Sequence, residues 1–311
     1  MNILFITRLY HPHIGGVEKH VYEVAKSLKR KRNSVTILTE KYNSGLKDKE
    51  ITNGIEVVRF SYPHIKFLGL LFIWREIFKN RKLIQEADVV HIHDIFIWYL
   101  PFRFLYPKKA VFTTIHGLEW DNPLSKFSIW QKRLVVKLSA GTIGVGKFLE
   151  KYLKVKFNKI IYGAATVIHS SVAKEANSIV YVGRLEENTG LCKFLEWLAN
   201  KPAANKAVKY EVDFCGDGQL RKECGKYGKV HGFTDPAPFF KKAKYCVPGG
   251  YLAVLEAISY RCKLKLFWNN KVKEDYWKMS PFSDKNVKQW VKSQTWDKLA
   301  NEYLDLYNNA K

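Results

Sequence analysis

Cysteine is scarce in this 311-residue chain, and all five residues (Cys192, Cys215, Cys224, Cys246 and Cys262) fall in the second half. Their number is odd and no C-x-x-C pair occurs, which argues against a disulfide framework and against a zinc site. They read as reduced core thiols. Long apolar runs are also missing, and no segment supplies the ~18 uninterrupted apolar residues of a membrane-spanning helix. The start, MNILFITRLYHP, holds only a short apolar run with Arg8 close behind; it reads as a buried first strand, not a signal peptide. Internal repeats of about 20–50 residues are absent, as is low-complexity bias. These absences predict a soluble, cytoplasmic protein, and the length fits two domains of ordinary size.

Acidic residues are few as well. Against 52 Lys and Arg stand 29 Asp and Glu, for a net charge of +23, so an anionic partner is expected. Residues 1–170 carry 28 basic and 13 acidic groups, a net of +15; the remainder carries 24 and 16. Runs such as Lys29-Arg30-Lys31-Arg32 suit nucleic acid, an acidic membrane surface or a phosphorylated substrate, and equally a solvated face.

What is present is alternation. NILFIT reads as a strand, and Val17–Leu28 then places Val17, Val21, Val24, Ala25 and Leu28 at helical spacing. SVTILTE and IEVVRF follow as strands; ADVVHIH (87–93) and AVFTTIH (110–116) are near-continuous apolar runs, the signature of strands covered on both faces. The pattern restarts with SIVYVGR (178–184), a helix over 191–198, YEVDFCGDG (210–218), KVHGF, AKYCV, a helix over 251–260 and KLKLF (263–267). Strands alternating with helices imply parallel sheets. The predicted fold is α/β, with two successive doubly wound, Rossmann-like units, residues 1–165 and 166–285. A terminal amphipathic helix over 286–311, with apolar residues from Val287 to Tyr307, is free to pack back on the first domain.

Ligands of open parallel sheets bind beyond the carboxyl ends of the strands. Gly15-Gly16 follows the first strand, and two glycines before a helix let backbone approach a diphosphate. A plain turn is the competing reading. His116, with Gly117, ends AVFTTIH, where an imidazole can meet a substrate hydroxyl or a developing charge. His91 and His93 read as core or supporting groups; with Asp94 they fall short of a metal site, since a third ligand at sensible spacing is missing. Gly183-Arg184 offers a guanidinium that can fork onto a phosphate. Cys215-Gly216-Asp217-Gly218 is a turn open to ligand approach. Pro248-Gly249-Gly250 opens a helix whose Glu256 can grip two ribose hydroxyls.

In order along the chain, VVHIHD, TTIHG, VYVGRLEENTG, FCGDG, VHGFTD and PGGYLAVLEAIS resemble the landmarks of the family 4 retaining glycosyltransferases. IGGVEKHVYEVAKSL is similar to that family's first loop and helix, and GVGKFLEKYL to the segment before its interdomain crossing. The resemblance covers roughly residues 1–265. It implies a GT-B fold, two Rossmann-like domains facing each other across a cleft, the first on the acceptor side and the second binding a nucleotide sugar. It implies further that Gly15 and Gly16 approach the donor diphosphate, His116 the transferred sugar, Arg184 the diphosphate and Glu256 the ribose. The resemblance also implies that Gly216, Gly249 and Gly250 line the donor site and that Gly232-Phe233 receives the nucleobase. No metal or other cofactor is implied beyond the nucleotide-diphosphate sugar itself.

Two positions depart from the family pattern. Thr189 stands where GRLxxxKG has a lysine, with Lys193 one turn later as a possible substitute. Pro248 stands where an acidic residue faces the donor sugar. The expected activity is retaining transfer of a sugar to a hydroxyl acceptor, a glycan or a lipid-linked molecule. The aromatic-rich runs Phe67–Trp74 and Ile95–Tyr106 beside abundant Lys and Arg suit an anionic membrane surface, although core burial competes for the same residues. The rival readings are a degenerate nucleotide- or glycan-binding protein of the same fold and a nucleotide-sugar epimerase. Nucleic acid is not an expected partner, since no recognised module is present.

Overall fold

A computed structural model describes residues 1–65, 68–118, 125–166, 173–200, 210–284 and 286–309. The chain divides into two compact units, residues 1–161 with 296–311, and residues 162–295. Phe67 and positions 167–172 of the small-residue stretch between the units lie outside the described residues.

In the first unit the chain runs β1 (Asn2–Ile6), α1 (Gly16–Arg30), β2 (Ser34–Glu40), β3 (Lys49–Thr52) and β4 (Ile55–Phe60). It continues with α2 (Gly69–Lys79), α3 (Arg81–Glu86), β5 (Val89–His93), α4 (Phe96–Leu105) and β6 (Ala110–Ile115), then α5 (Lys126–Leu138), β7 (Gly141–Val145), α6 (Phe148–Leu153) and β8 (Lys159–Ile161). The sheet order is β3-β4-β2-β1-β5-β6-β7-β8. Every pairing is parallel except the β3–β4 hairpin at the edge. β5 is buried at all five positions, as a central strand covered on both faces must be. Helix α1 buries His20, Val21, Val24, Ala25 and Leu28 as one stripe, the i, i+4, i+8 face that a helix turns to its sheet.

The second unit runs β9 (Glu175–Val182), α7 (Leu191–Ala199), β10 (Glu211–Cys215), α8 (Arg221–Cys224), β11 (Lys229–Gly232) and α9 (Ala237–Lys242). It continues with β12 (Ala243–Pro248), α10 (Tyr251–Ser259), β13 (Lys263–Leu264), α11 (Lys271–Lys278) and α12 (Val287–Ser293). Its parallel sheet is ordered β11-β10-β9-β12-β13. One apolar cluster, with Tyr181, Phe194 and Phe214 fully buried, packs beneath α7; a second, around Val180, Phe240 and Cys246, fills the opposite side. All five cysteines are free thiols.

The single terminal helix read over 286–311 is in fact two. α12 ends at Ser293, Gln294 leaves helical backbone (φ −88°, ψ 77°), and α13 (Trp296–Asn308) begins anew. α12 belongs to the second unit and α13 to the first. α13 lies along α1, where Arg30 pairs with Asp297 at 2.8 Å. Its Tyr303 and Tyr307 are fully buried.

Candidate functional site

Each sheet reverses its strand order once, between β1 and β5 and between β9 and β12. Such a switch point parts the loops at the strands' carboxyl ends and leaves a crevice there. Gly15, Gly16 and His116 lie at the first of these places, and Gly183, Gly216 and Gly249 at the second.

In the first unit, Gly15 caps α1 with extended backbone (φ −170°). A Cβ there would strike the Glu18 carboxylate, which folds back over the turn, whereas Gly16 faces open space. Glu18 lies 3.0 Å from His13 Nδ1. His116 follows β6 and is half-buried. Its backbone N–H donates to Asp94 Oδ1 at 2.8 Å, and its Nε2 bonds His93 Nδ1 at 3.0 Å. Its ring meets the edge of His20 at 4.8 Å, and His20 is one turn along α1 from Gly16. Gly15, Gly16 and His116 therefore share one end of the sheet.

Behind His116 lies a buried polar network. His91 bonds Thr114 Oγ1 at 2.7 Å and Tyr307 Oη at 2.8 Å; Tyr303 Oη bonds Thr114 at 3.0 Å and His20 Nε2 at 2.8 Å. Burial, and secondarily the Lys132 ammonium, push the His116 imidazole down to about 3. Burial foremost, then neighbouring imidazoles, hold His20, His91 and His93 well below the usual histidine range. Burial raises Asp94, against the pull of Lys132 and the His116 N–H. All four imidazoles are thus neutral near pH 7, and His116 acts there as a hydrogen-bonding group, not as a cation. No group of three His, Cys, Asp or Glu side chains among the described residues is placed to hold a metal ion.

In the second unit three glycine turns pack backbone to backbone. A Cβ on Gly216 would strike the Gly183 carbonyl, and one on Gly183 would lie 2.8 Å from Gly249 Cα. Gly183 N–H donates to Cys215 O at 3.1 Å, Gly249 N–H to Val182 O at 2.7 Å and Leu185 N–H to Asp217 O at 2.9 Å. Only glycine permits this approach. Arg184 projects from the first turn, half exposed, with Glu186 at 2.9 Å. Gly232 bridges to Gly216 with left-handed backbone (φ +70°), and Phe233 beside it is 55% exposed. Gly250 caps α10, and Glu256, half-buried in that helix, lies close enough to Cys246 to raise its thiol further. Pro248 ends β12.

The two departures resolve differently. Thr189 is 5% exposed, accepting from Tyr181 Oη at 3.0 Å and donating to Glu186 O at 2.6 Å, so it braces the Arg184 turn and brings no charge. Lys193 pairs with Glu196 on the outer face of α7. A different cation lies by the glycines: Lys273 of α11, whose Nζ donates to Gly249 O at 2.7 Å. Sequence reasoning missed Lys273, and it missed His20, Tyr303 and Tyr307. His20 carried one signal, its place three residues after Val17 and four before Val24 on the apolar stripe.

The sequence profile of Glycosyltransferase Family 4 matches residues 14–173, just over half of the chain. The GPI3 subunit of the Saccharomyces cerevisiae phosphatidylinositol N-acetylglucosaminyltransferase is 27% identical over 146 residues, 43% of this chain and 30% of its own. This chain thus spans under a third of the yeast relative's length. The uncharacterized glycosyltransferase MJ1178 of Methanocaldococcus jannaschii is 24% identical over 262 residues, 77% of this chain and 70% of its own. Sucrose-phosphate synthase from Thermosynechococcus elongatus superposes with a TM-score of 0.74 at 14% identity, over 99% of this chain and 98% of that one. A structure described as trehalose-6-phosphate from E. coli bound with UDP-2-fluoro glucose gives 0.68 at 12% identity, over 99% of both chains. The fold is the α/β GT-B fold, with two Rossmann-like units.

Proposed function

Since this chain belongs to glycosyltransferase family 4, we propose that it moves a sugar from a nucleotide-diphosphate donor to a hydroxyl acceptor, with retention at the anomeric carbon. The observation that carries the proposal is the packing of the Gly183, Gly216 and Gly249 turns at the second switch point, with Arg184 at their lip. Backbone stripped of Cβ atoms admits a diphosphate closely, and a guanidinium beside it meets the charge that develops as the leaving group departs. The second unit is then the donor side, with Glu256 on the ribose and Gly232-Phe233 under the base. The first unit is the acceptor side, where the role proposed for neutral His116, backed by His93 and Asp94, is a hydrogen bond to a sugar hydroxyl. In a front-face course the acceptor attacks from the leaving-group side, which asks of the protein orientation and charge stabilisation and no covalent nucleophile. The reading asks for no metal.

The acceptor side carries apolar residues that its core does not use. From the aromatic runs, Phe96, Trp98, Tyr99 and Phe102 are buried, while Leu71, Ile97, Phe104 and Leu105 are exposed. They share α2 and α4 with Arg75, Lys79 and Arg103. α2 packs on α4, where Trp74 Nε1 donates to Ile97 O at 3.0 Å. This combination supports peripheral contact with anionic lipid and a lipid-linked acceptor. No helix among the described residues is long and apolar enough to cross a membrane.

Incubation with UDP-, GDP- and ADP-sugars tests the reading, with released sugar and its anomeric form followed by NMR. Turnover of one donor with the α or β configuration kept is expected. Nucleotide binding without turnover of any donor would instead make the chain a non-catalytic binder of the same fold.

A further inference from the structure

The segment KVKEDYWK reads as an ordinary charged helix, yet Lys273 within it is fully buried. Its Nζ donates to the Gly249 carbonyl at 2.7 Å and lies 4.2 and 4.6 Å from the ring centroids of Tyr276 and Trp277. α11 grips the same turn a second time. Tyr276 Oη accepts the Tyr251 N–H at 2.8 Å, the two rings stack at 3.8 Å, and Tyr251 Oη donates to Tyr276 O at 2.7 Å. Lys273 thus bonds the backbone of the Gly249–Gly250 turn directly. Gly249 in turn touches Gly183, the residue before Arg184.

Two basic side chains therefore stand on packed glycine turns, Arg184 on the Gly183 turn and Lys273 on the Gly249 turn. Burial first, and then the Arg184 charge, hold the Lys273 ammonium down to about 7. Other titratable groups on the surrounding elements include Glu186, which pairs with Arg184 at 2.9 Å, Asp217, which pairs with Arg221 at 2.6 Å, the phenols of Tyr181, Tyr251 and Tyr276, all raised by burial, and Glu256 on α10. On its own helix Lys271 pairs with Glu274 and Asp275, and Lys278 with Glu274. Like charges held together at low dielectric favour arrival of an anion, and an arriving anion favours the protonated amine.

We infer that Lys273 and Arg184 are a basic pair on the two packed glycine turns that take the diphosphate of a nucleotide, and that its arrival draws a proton from solvent onto Lys273 Nζ where that amine is neutral. The amine becomes an ammonium, no other bond changes, and the Gly249 carbonyl it holds fixes the turn against the ligand. Lys273 acts through that turn and is a positioning residue. The inference rests on the donor-site reading above.

Calorimetric titration of the intact chain at pH 7.5, in two buffers of different ionisation enthalpy, counts protons directly. The probes are pyrophosphate, UDP and GDP. Net proton uptake is expected with UDP and GDP, because part of a lysine held near 7 is neutral at that pH; pyrophosphate, which still carries a proton of its own there, reports binding only. Lys273→Met should abolish the uptake and weaken binding at least tenfold. Arg184→Ala, at an exposed position, should reduce the uptake by leaving Lys273 more protonated at rest; with the wild type it decides the matter if Lys273→Met does not fold. Nucleotide binding without uptake, or uptake unchanged in Lys273→Met, overturns the role of Lys273 and leaves the donor site standing. Pyrophosphate binding that Lys273→Met weakens, with no nucleotide binding, keeps Lys273 and overturns the donor reading. Binding of no probe overturns both.

Discussion

Acidification should unfold the first unit well before it would unfold an ordinary domain. His20, His91, His93 and His116 lie within ring contact of one another, with centroids 4.8 to 6.2 Å apart. All are held neutral in the folded chain, His116 down to about 3. In the unfolded chain each titrates near ~6.5. Between that value and the depressed folded one the unfolded state binds more protons, so stability is full above ~6.5 and falls as pH drops. At pH 5.5 each imidazole still neutral in the fold costs about 1.4 kcal/mol, and four together about 6 kcal/mol. Asp94, shifted upward, acts in the opposite sense and leaves at least about 3 kcal/mol of loss. That is a large part of a domain's ~5–15 kcal/mol. Urea unfolding at pH 7.5 and 5.5, read by hydrogen exchange in β5 and β6, isolates this unit. His91→Gln should shrink the difference by about 1.4 kcal/mol, one proton's share. A difference under about 1 kcal/mol, or a gain in acid, would refute the neutral-histidine argument.

Other expectations follow from single contacts. Arg184→Ala should lower kcat/KM by about 2–4 kcal/mol of transition-state stabilisation, with melting temperature unchanged because its pair with Glu186 is exposed; steady-state kinetics and a thermal melt check both halves. Gly249→Ala would place a Cβ 2.9 Å from Gly183 Cα and 3.1 Å from Val182 O, so a loss of about 1–3 kcal/mol by urea titration is expected from overpacking, together with loss of nucleotide binding. Tyr303→Phe removes the hydroxyl bonded to both His20 and Thr114; a destabilisation of about 1–3 kcal/mol is expected, measurable in the same titration.

The parallel sheets were legible because buried strands such as VVHIH and AVFTTI have no polar face to disguise them. The glycines were legible as turns at strand ends, where a plain turn and close backbone approach compete, and the Cβ contacts at Gly183, Gly216 and Gly249 show the close approach. The place of His116 at the end of β6 was legible by position alone. Its supports were not. Tyr303 meets His20 across 283 positions of sequence, and local periodicity carries no information on which apolar stripe docks where. The terminal helix was misjudged for a related reason: apolar residues keep helical phase from Val287 to Tyr307, so the pattern runs through a break that only backbone geometry at Gln294 reveals. Lys273 was hidden by composition, since Lys-x-Lys-Glu-Asp resembles a solvated helix face until the aromatic pair Tyr276-Trp277 turns its middle lysine inward.

The central claim is that a nucleoside diphosphate binds at the carboxyl end of the second sheet. Hydrogen exchange of the intact chain with and without UDP, GDP or ADP measures this at the backbone itself. The account expects one nucleotide to slow exchange at 183–185, 216–218 and 249–251, and expects Arg184→Ala to weaken that protection. Protection that leaves those three turns unchanged, for every nucleotide, would contradict it.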